Sequence, residues 1–153
     1  MAKLAISELT TFRWSFDEDV NAYRSAGIDA IGVWRQKLSD FGEEKGSELL
    51  HETGLTVSSL SWAGGFTGSD GRSYKDSLDD ARDAIRLAAS LRAGCLIVHS
   101  GSRAGHTHNH ARRLLKNALS ELLPMAAEHS VTLALEPMHR GCGSPWSRQS
   151  TAC

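Results

Sequence analysis

The sequence holds no run approaching the roughly 18 consecutive apolar residues of a membrane span, so no helical span and no membrane partner are expected. Its start, Met1-Ala2-Lys3-Leu4-Ala5-Ile6, meets Ser7 and Glu8 too early for a signal-peptide core. Cysteine is scarce: Cys95, Cys142 and Cys153 are odd in number and show no CxxC spacing, which speaks against a disulfide framework and a zinc knuckle. No Lys-Ser/Thr pair follows the glycines Gly64, Gly65, Gly68 and Gly71, so a P-loop is excluded. No GxGxxG follows an apolar run, which argues against a dinucleotide site. Neither sign of charge is in excess: 17 Lys and Arg against 18 Asp and Glu leave −1, which predicts no nucleic-acid surface and no acidic tail. A soluble, reduced, cytoplasmic protein is the expectation.

What is present is alternation. At 153 residues and 41% hydrophobic, the chain can bury the core of one domain. Residues 3–12 read as a first strand, and Ser15 can cap a helix whose first turn holds Asp17 and Glu18 and which stops at Gly27. Ile28–Trp34 is a second strand, and a helix over about 40–53 ends at Gly54. Leu55–Trp62 is a third strand, followed by a glycine-rich loop over 63–73 suited to covering a substrate. A helix over about 75–92 carries Leu78, Ala81, Ile85 and Ala88 at helical spacing and closes at Gly94. The run Cys95–Val98 then arrives at His99. A last helix contains Pro124, which is expected to kink it or start a new turn. The run Val131–Leu135 arrives at Glu136, and Pro137 and His139 follow.

Strands alternating with helices over short loops predict a parallel α/β sheet with right-handed crossovers. An open flavodoxin-like sheet and the first half of a (β/α)₈ barrel both fit. In either, ligands sit at the C-terminal ends of the strands. Trp14, Trp34, Trp62, His99 and Glu136 all fall at or just beyond such ends. The three tryptophans can line a sugar pocket by stacking or plug a barrel end as core. Arg13, Arg35 and Arg103 lie near strand ends, where an arginine can meet a phosphate but is more often solvated. His106, His108 and His110 have an i, i+2, i+4 spacing that does not bring all three to one side of a helix, so a solvated loop is expected there. Residues 140–153 show almost no apolar periodicity and predict an irregular tail, with residues 1–139 as the domain. The fifth strand thus has no covering helix behind it, and the expected architecture is a barrel truncated after that strand.

The segments Gly27-Ile28-Asp29-Ala30-Ile31-Gly32-Val33-Trp34, Leu60-Ser61-Trp62-Ala63-Gly64, Leu96-Ile97-Val98-His99-Ser100-Gly101 and Leu133-Ala134-Leu135-Glu136-Pro137 resemble, in this order, the xylose-isomerase-like TIM-barrel superfamily and its sugar phosphate isomerase/epimerase members. The resemblance covers about residues 3–139. It implies a divalent metal cation (Mn, Mg, Co or Zn) with Glu136 as a ligand and proton-transfer residue. It places His99 in or beside the metal and substrate pocket. Beside it, Trp62, Trp34 and Trp14 are the stacking candidates for a small sugar or sugar phosphate, and His139, two residues past Pro137, can bind that substrate or stand as an exposed loop histidine. It also implies that the remaining acidic and histidine ligands come from strands six to eight, which this sequence does not contain. Such an ion stabilises the enediolate formed when a proton leaves the carbon beside a carbonyl, and carboxylates are the hard ligands it prefers. With two ligands, the 153-residue chain is expected to be weakly active or inactive. Two alternatives accompany this reading. One is a non-catalytic half barrel that self-associates as a homo-oligomer. The other is an endonuclease-IV-like zinc phosphodiesterase, which needs a histidine where the sequence has Trp62-Ala63-Gly64 and a more basic surface for DNA.

Overall fold

The structure is a computed structural model that describes residues 4–137; the tail and His139 lie outside them. The elements follow in order β1 (Ala5–Ser7), α1 (Phe16–Ser25), β2 (Ala30–Trp34), α2 (Arg35–Phe41), α3 (Glu43–Thr53), β3 (Thr56–Gly64), α4 (Tyr74–Ser90), β4 (Leu96–His99), α5 (His108–Glu128) and β5 (Leu133–Glu136). All neighbouring strands pair in parallel, in the order β1-β2-β3-β4-β5. Sequential order decides between the two architectures. Each right-handed crossover then steps the same way and lays its helix on the same face, as in a (β/α)₈ barrel and unlike the reversing strand order of a flavodoxin-like sheet.

The helices begin where the local chemistry predicts. Glu18 reaches back to accept the backbone N–H of Ser15 (2.8 Å), so the first turn of α1 is capped by its own acid. Ser73 and Asp76 do the same for α4: Ser73 Oγ accepts the Asp76 N–H (3.0 Å) and Asp76 accepts the Ser73 N–H (3.2 Å). Helix-facing strand residues Val33, Leu60, Leu96 and Val98 join Ala81, Ala84, Ile85, Ala88, Ala118 and Leu122 in one buried core. The alanines let α4 and α5 sit close to the sheet without leaving voids.

Several boundaries differ from expectation. The first strand is three residues long rather than ten, because Ser7 already accepts the backbone N–H of Thr10 (2.9 Å) and the chain turns. The region before residue 54 holds two helices rather than one, divided at Gly42, whose φ of +107° no helix continues. Gly94 does not end a helix. Arg92 takes the left-handed turn there, and Gly94 is required because a Cβ on it would meet the Ser58 carbonyl oxygen at 2.7 Å. Helix α5 runs through Pro124 as one 21-residue element, and no new helix starts there. The carbonyl four residues earlier belongs to exposed Ser120, where water can replace the missing amide.

A candidate active site at the C-terminal ends of the strands

The tips of β3, β4 and β5 are in register: Gly64 opposes His99, and His99 opposes Glu136. The side chains of His99 and Glu136 therefore leave the sheet in the same direction. Gly64 is held at φ +136°, and a Cβ on it would lie 2.0 Å from the carbonyl oxygen of His99, so only glycine lets these two tips approach. Two residues earlier, the pairing of β3 with β4 slips between Ser61 and Ala63, leaving Trp62 as the extra residue of a bulge. The bulge re-aims the indole. Trp62 Nε1–H donates to Glu136 Oε2 across the intervening strand (3.1 Å), and its ring meets the His99 imidazole edge to face at 6.1 Å. Trp34, at the tip of β2, meets Trp62 in turn at 6.4 Å, also edge to face. Four of the residues singled out from sequence thus form one continuous arc from β2 to β5.

Arg35 supports the arc from behind rather than offering itself to a phosphate. It donates to the Trp62 carbonyl (2.8 Å) and clasps Asp80 of α4 with both terminal nitrogens (3.1 and 3.0 Å). Arg72 joins the same carboxylate and Asp70, and its guanidinium also reaches the Gly64 carbonyl (3.3 Å). Each arginine in this pair already has carboxylate partners.

His99 is half-buried, and its Nδ1 is enclosed with no hydrogen-bond partner among the described residues. Burial holds its pKa below the ordinary histidine range, and nearby Arg72 adds to this, while Glu136 and Asp70 pull the other way. The imidazole is therefore neutral near pH 7, the form that can accept a proton or bind a cation. Trp14 stands apart from the arc. It is 45% exposed and lines a groove of about 390 Å³ with Phe12, Phe16, Trp34 and Phe41, so Trp34 is the wall between that groove and the arc. The expected solvated histidines are in part anchored: His106 Nε2 lies 3.1 Å from the Thr67 carbonyl, and the His106 and His110 rings are 4.7 Å apart.

Sequence reading missed a second group of residues at the same end of the sheet. Glu8, one residue beyond β1, is fully buried and accepts the backbone N–H of Trp34 at Oε2 (2.7 Å). Burial pushes its pKa up to about 8. Beside it lie Asp19 and Lys37, whose side chains are 2.5 Å apart and also buried. The alternation of strand positions puts Glu8 on the side of Val33, under the helices, rather than on the side of Trp34.

Glu136 and His99 are the residues that the resemblance assigns to a divalent cation. The enclosed, unpartnered Nδ1 of His99 and the carboxylate beside it are suitable donors. No group of three or more His, Cys, Asp or Glu side chains among the described residues is placed to hold a metal. Two donors do not make the sphere of such an ion.

No curated protein matches the chain. Among solved structures, protein SMc04130 of Sinorhizobium meliloti is 31% identical over 90% of this chain and 51% of its own, with a TM-score of 0.82. A structure of the IolI protein with a bound zinc atom is 16% identical over 88% of this chain and 51% of its own (TM-score 0.73). The 3-keto-D-glucoside 4-epimerase YcjR of E. coli is 17% identical over 82% of this chain and 52% of its own (TM-score 0.69). The chain therefore spans about half the length of the solved structures it matches. Residues 20–151 match the family described as xylose isomerase-like TIM barrel, and with five sequential parallel strands and this arc at their C-terminal ends, the chain belongs to that family.

Proposed function

We propose that the chain carries half of the site of a sugar or sugar-phosphate isomerase or epimerase, with Glu136 as the proton-transfer residue. The hydrogen bond from Trp62 Nε1 to Glu136 Oε2 carries this reading. It fixes the carboxylate by one oxygen and leaves the other to face a ligand. That oxygen takes the proton from the carbon beside a substrate carbonyl, giving an enediolate. Glu136 returns the proton to the neighbouring carbon in isomerisation, whereas epimerisation needs a second acid to deliver a different proton to the opposite face of the same carbon. Neutral His99 hydrogen-bonds a sugar hydroxyl next to the reacting carbon. Trp34 and Trp62 present the apolar surface on which a pyranose or open-chain sugar rests. Support comes from the family match, and from neighbours that include a keto-glucoside epimerase and a D-psicose 3-epimerase. A divalent cation, where bound, supplies charge stabilisation of the enediolate. Glu136 and His99 would supply two of its donors.

The 153-residue chain by itself is expected to show little or no metal-dependent turnover. The direct test grafts residues 4–137 in place of the matching half of SMc04130. Solvent deuterium entering the carbon beside the carbonyl is then followed by NMR over a panel of ketoses, keto-glycosides and their phosphates with Mn²⁺. Exchange with at least one sugar is expected, and Glu136→Gln should slow it by roughly 10²-fold or more. A folded chimera that exchanges no sugar, or exchange that survives Glu136→Gln, would sink the proposal.

A further inference from the structure

We propose that Glu8, Asp19 and Lys37 form a buried latch that positions the tip of β2, and with it Trp34, and that this latch holds one proton between its two carboxylates at neutral pH. The latch does not depend on which ligand the arc of Trp34, Trp62, His99 and Glu136 accepts. Its first support is a charge count. Glu8 and Asp19 are fully enclosed and Lys37 nearly so, and together they bring two carboxyls and a single ammonium into one space. With both acids ionised, the cluster would carry a net negative charge out of reach of water, a cost that protonation of one acid removes.

Geometry says which acid is protonated. Asp19 has its oxygens committed as acceptors: Lys37 Nζ donates to Oδ2 (2.5 Å) and Thr11 Oγ1 to Oδ1 (2.5 Å). Lys37 Nζ donates as well to the Thr11 carbonyl (2.8 Å), and Thr11 Oγ1 lies 2.5 Å from the Tyr23 hydroxyl. Asp19 therefore has the cation and is the anion. Glu8 accepts the Trp34 N–H at Oε2, and its Oε1 is buried with no partner among the described residues. An ionised carboxylate oxygen left in that position would be costly, whereas a carboxylic acid O–H there can donate toward Asp19. The titratable groups facing Glu8 are Asp19 and Tyr23 from α1 and Lys37 from α2. Burial and Asp19 raise its pKa, while the Trp34 amide and Lys37 lower it, with a net result of about 8.

The latch joins three elements that have no covalent reason to stay together: the end of β1, the first half of α1, and the β2–α2 junction. Trp34 is the last residue of β2 and Arg35 the first of α2. Ionisation of Glu8 places a second negative charge beside Asp19 with one cation to share. The junction relaxes toward water, and the Trp34 ring moves against Trp62.

The test is carried out on the full chain. Infrared spectra of protein with ¹³C-labelled glutamate side chains are recorded across the pH range, alongside tryptophan emission. A protonated glutamate carboxyl is expected near neutral pH, disappearing with a midpoint near 8, and the emission should change at the same midpoint. Glu8→Gln keeps an acceptor for the Trp34 N–H and a donor toward Asp19, so it should fold, lack that carboxyl band, and show flat emission through this range. Lys37→Met removes the cation and should move the wild-type midpoint upward by at least about one pH unit. The proposal is overturned by a wild-type chain with no protonated glutamate near neutral pH, by a band or emission change that persists in Glu8→Gln, or by a Lys37→Met midpoint that does not move. The wild-type spectra decide the protonation even where a variant does not fold.

Discussion

Glu8 and His99 are displaced from their ordinary protonation behaviour in opposite ways by the same cause, burial without full polar compensation. Their effects on stability are opposite in sign. For Glu8 the folded pKa lies above the unfolded one. The unfolded chain loses this proton first as pH rises, so stability falls between the model-peptide value of 4.5 and about 8, and levels off above. For His99 the folded pKa lies below 6.5, so stability is fully present above that value and declines as pH falls through the folded pKa. The thermal midpoint of the wild-type chain is therefore expected to drop from mildly acidic to mildly alkaline pH, and Glu8→Gln should flatten that limb while leaving the acid limb in place. Scanning calorimetry across this range decides it, and a Glu8→Gln profile with the wild-type slope would contradict the assignment. The two residues also differ in how visible they are in sequence. His99 ends an apolar run, and such an ending advertises a side chain delivered to a strand tip. Glu8 follows a strand of three residues, and its partners lie eleven and twenty-nine positions away on different helices. Lys37 sits in the polar stretch Arg35-Gln36-Lys37, which reads as a solvated surface. No local pattern signals that all three meet underneath.

Elements are placed by contacts that only glycine or a bulge permits, and these are where the strand tips acquire their spacing. Gly64→Ala is the sharp case. Its φ is +136° and its new Cβ would collide with the backbone of His99, so β3 and β4 must separate at their tips. A loss of about 3 kcal/mol or more is expected in urea unfolding, and a loss under about 1 kcal/mol would show that the tips move freely. The sequence disclosed the existence and order of these elements because the apolar period changes from 3.6 to 2 at each junction, and because Gly27 and Gly54 stand just past helix ends. It did not disclose the bulge at Trp62. An alternating run looks the same with or without one unpaired residue, so the reach of the indole to Glu136 emerges only from the pairing of β3 with β4. The division of α2 from α3 was equally hidden, since Leu38 and Phe41 are the two apolar residues of an otherwise polar segment.

At the scale of the molecule, the sheet has two open edges among the described residues, along β1 and β5. Leu135 is 53% exposed on a strand whose paired neighbour Val98 is covered by helices, and Leu4 and Phe12 are exposed at the opposite end of the sheet. Unpaired backbone beside exposed apolar side chains is a template for association. The purified chain is expected to elute from size exclusion with light scattering as a dimer or larger species. A stable monomer at micromolar concentration would argue that these surfaces are covered within one copy. No helix of the described residues is long and apolar enough to cross a membrane.

The sequential strand order has a consequence for synthesis. Among the described residues each new strand pairs with the one made just before it, so the sheet can grow one strand at a time as the chain leaves the ribosome. Trp34, Trp62 and His99 can thus be in place before Glu136 emerges. The carboxylate is the last member of the arc to be made, and it arrives at an indole N–H already waiting for it.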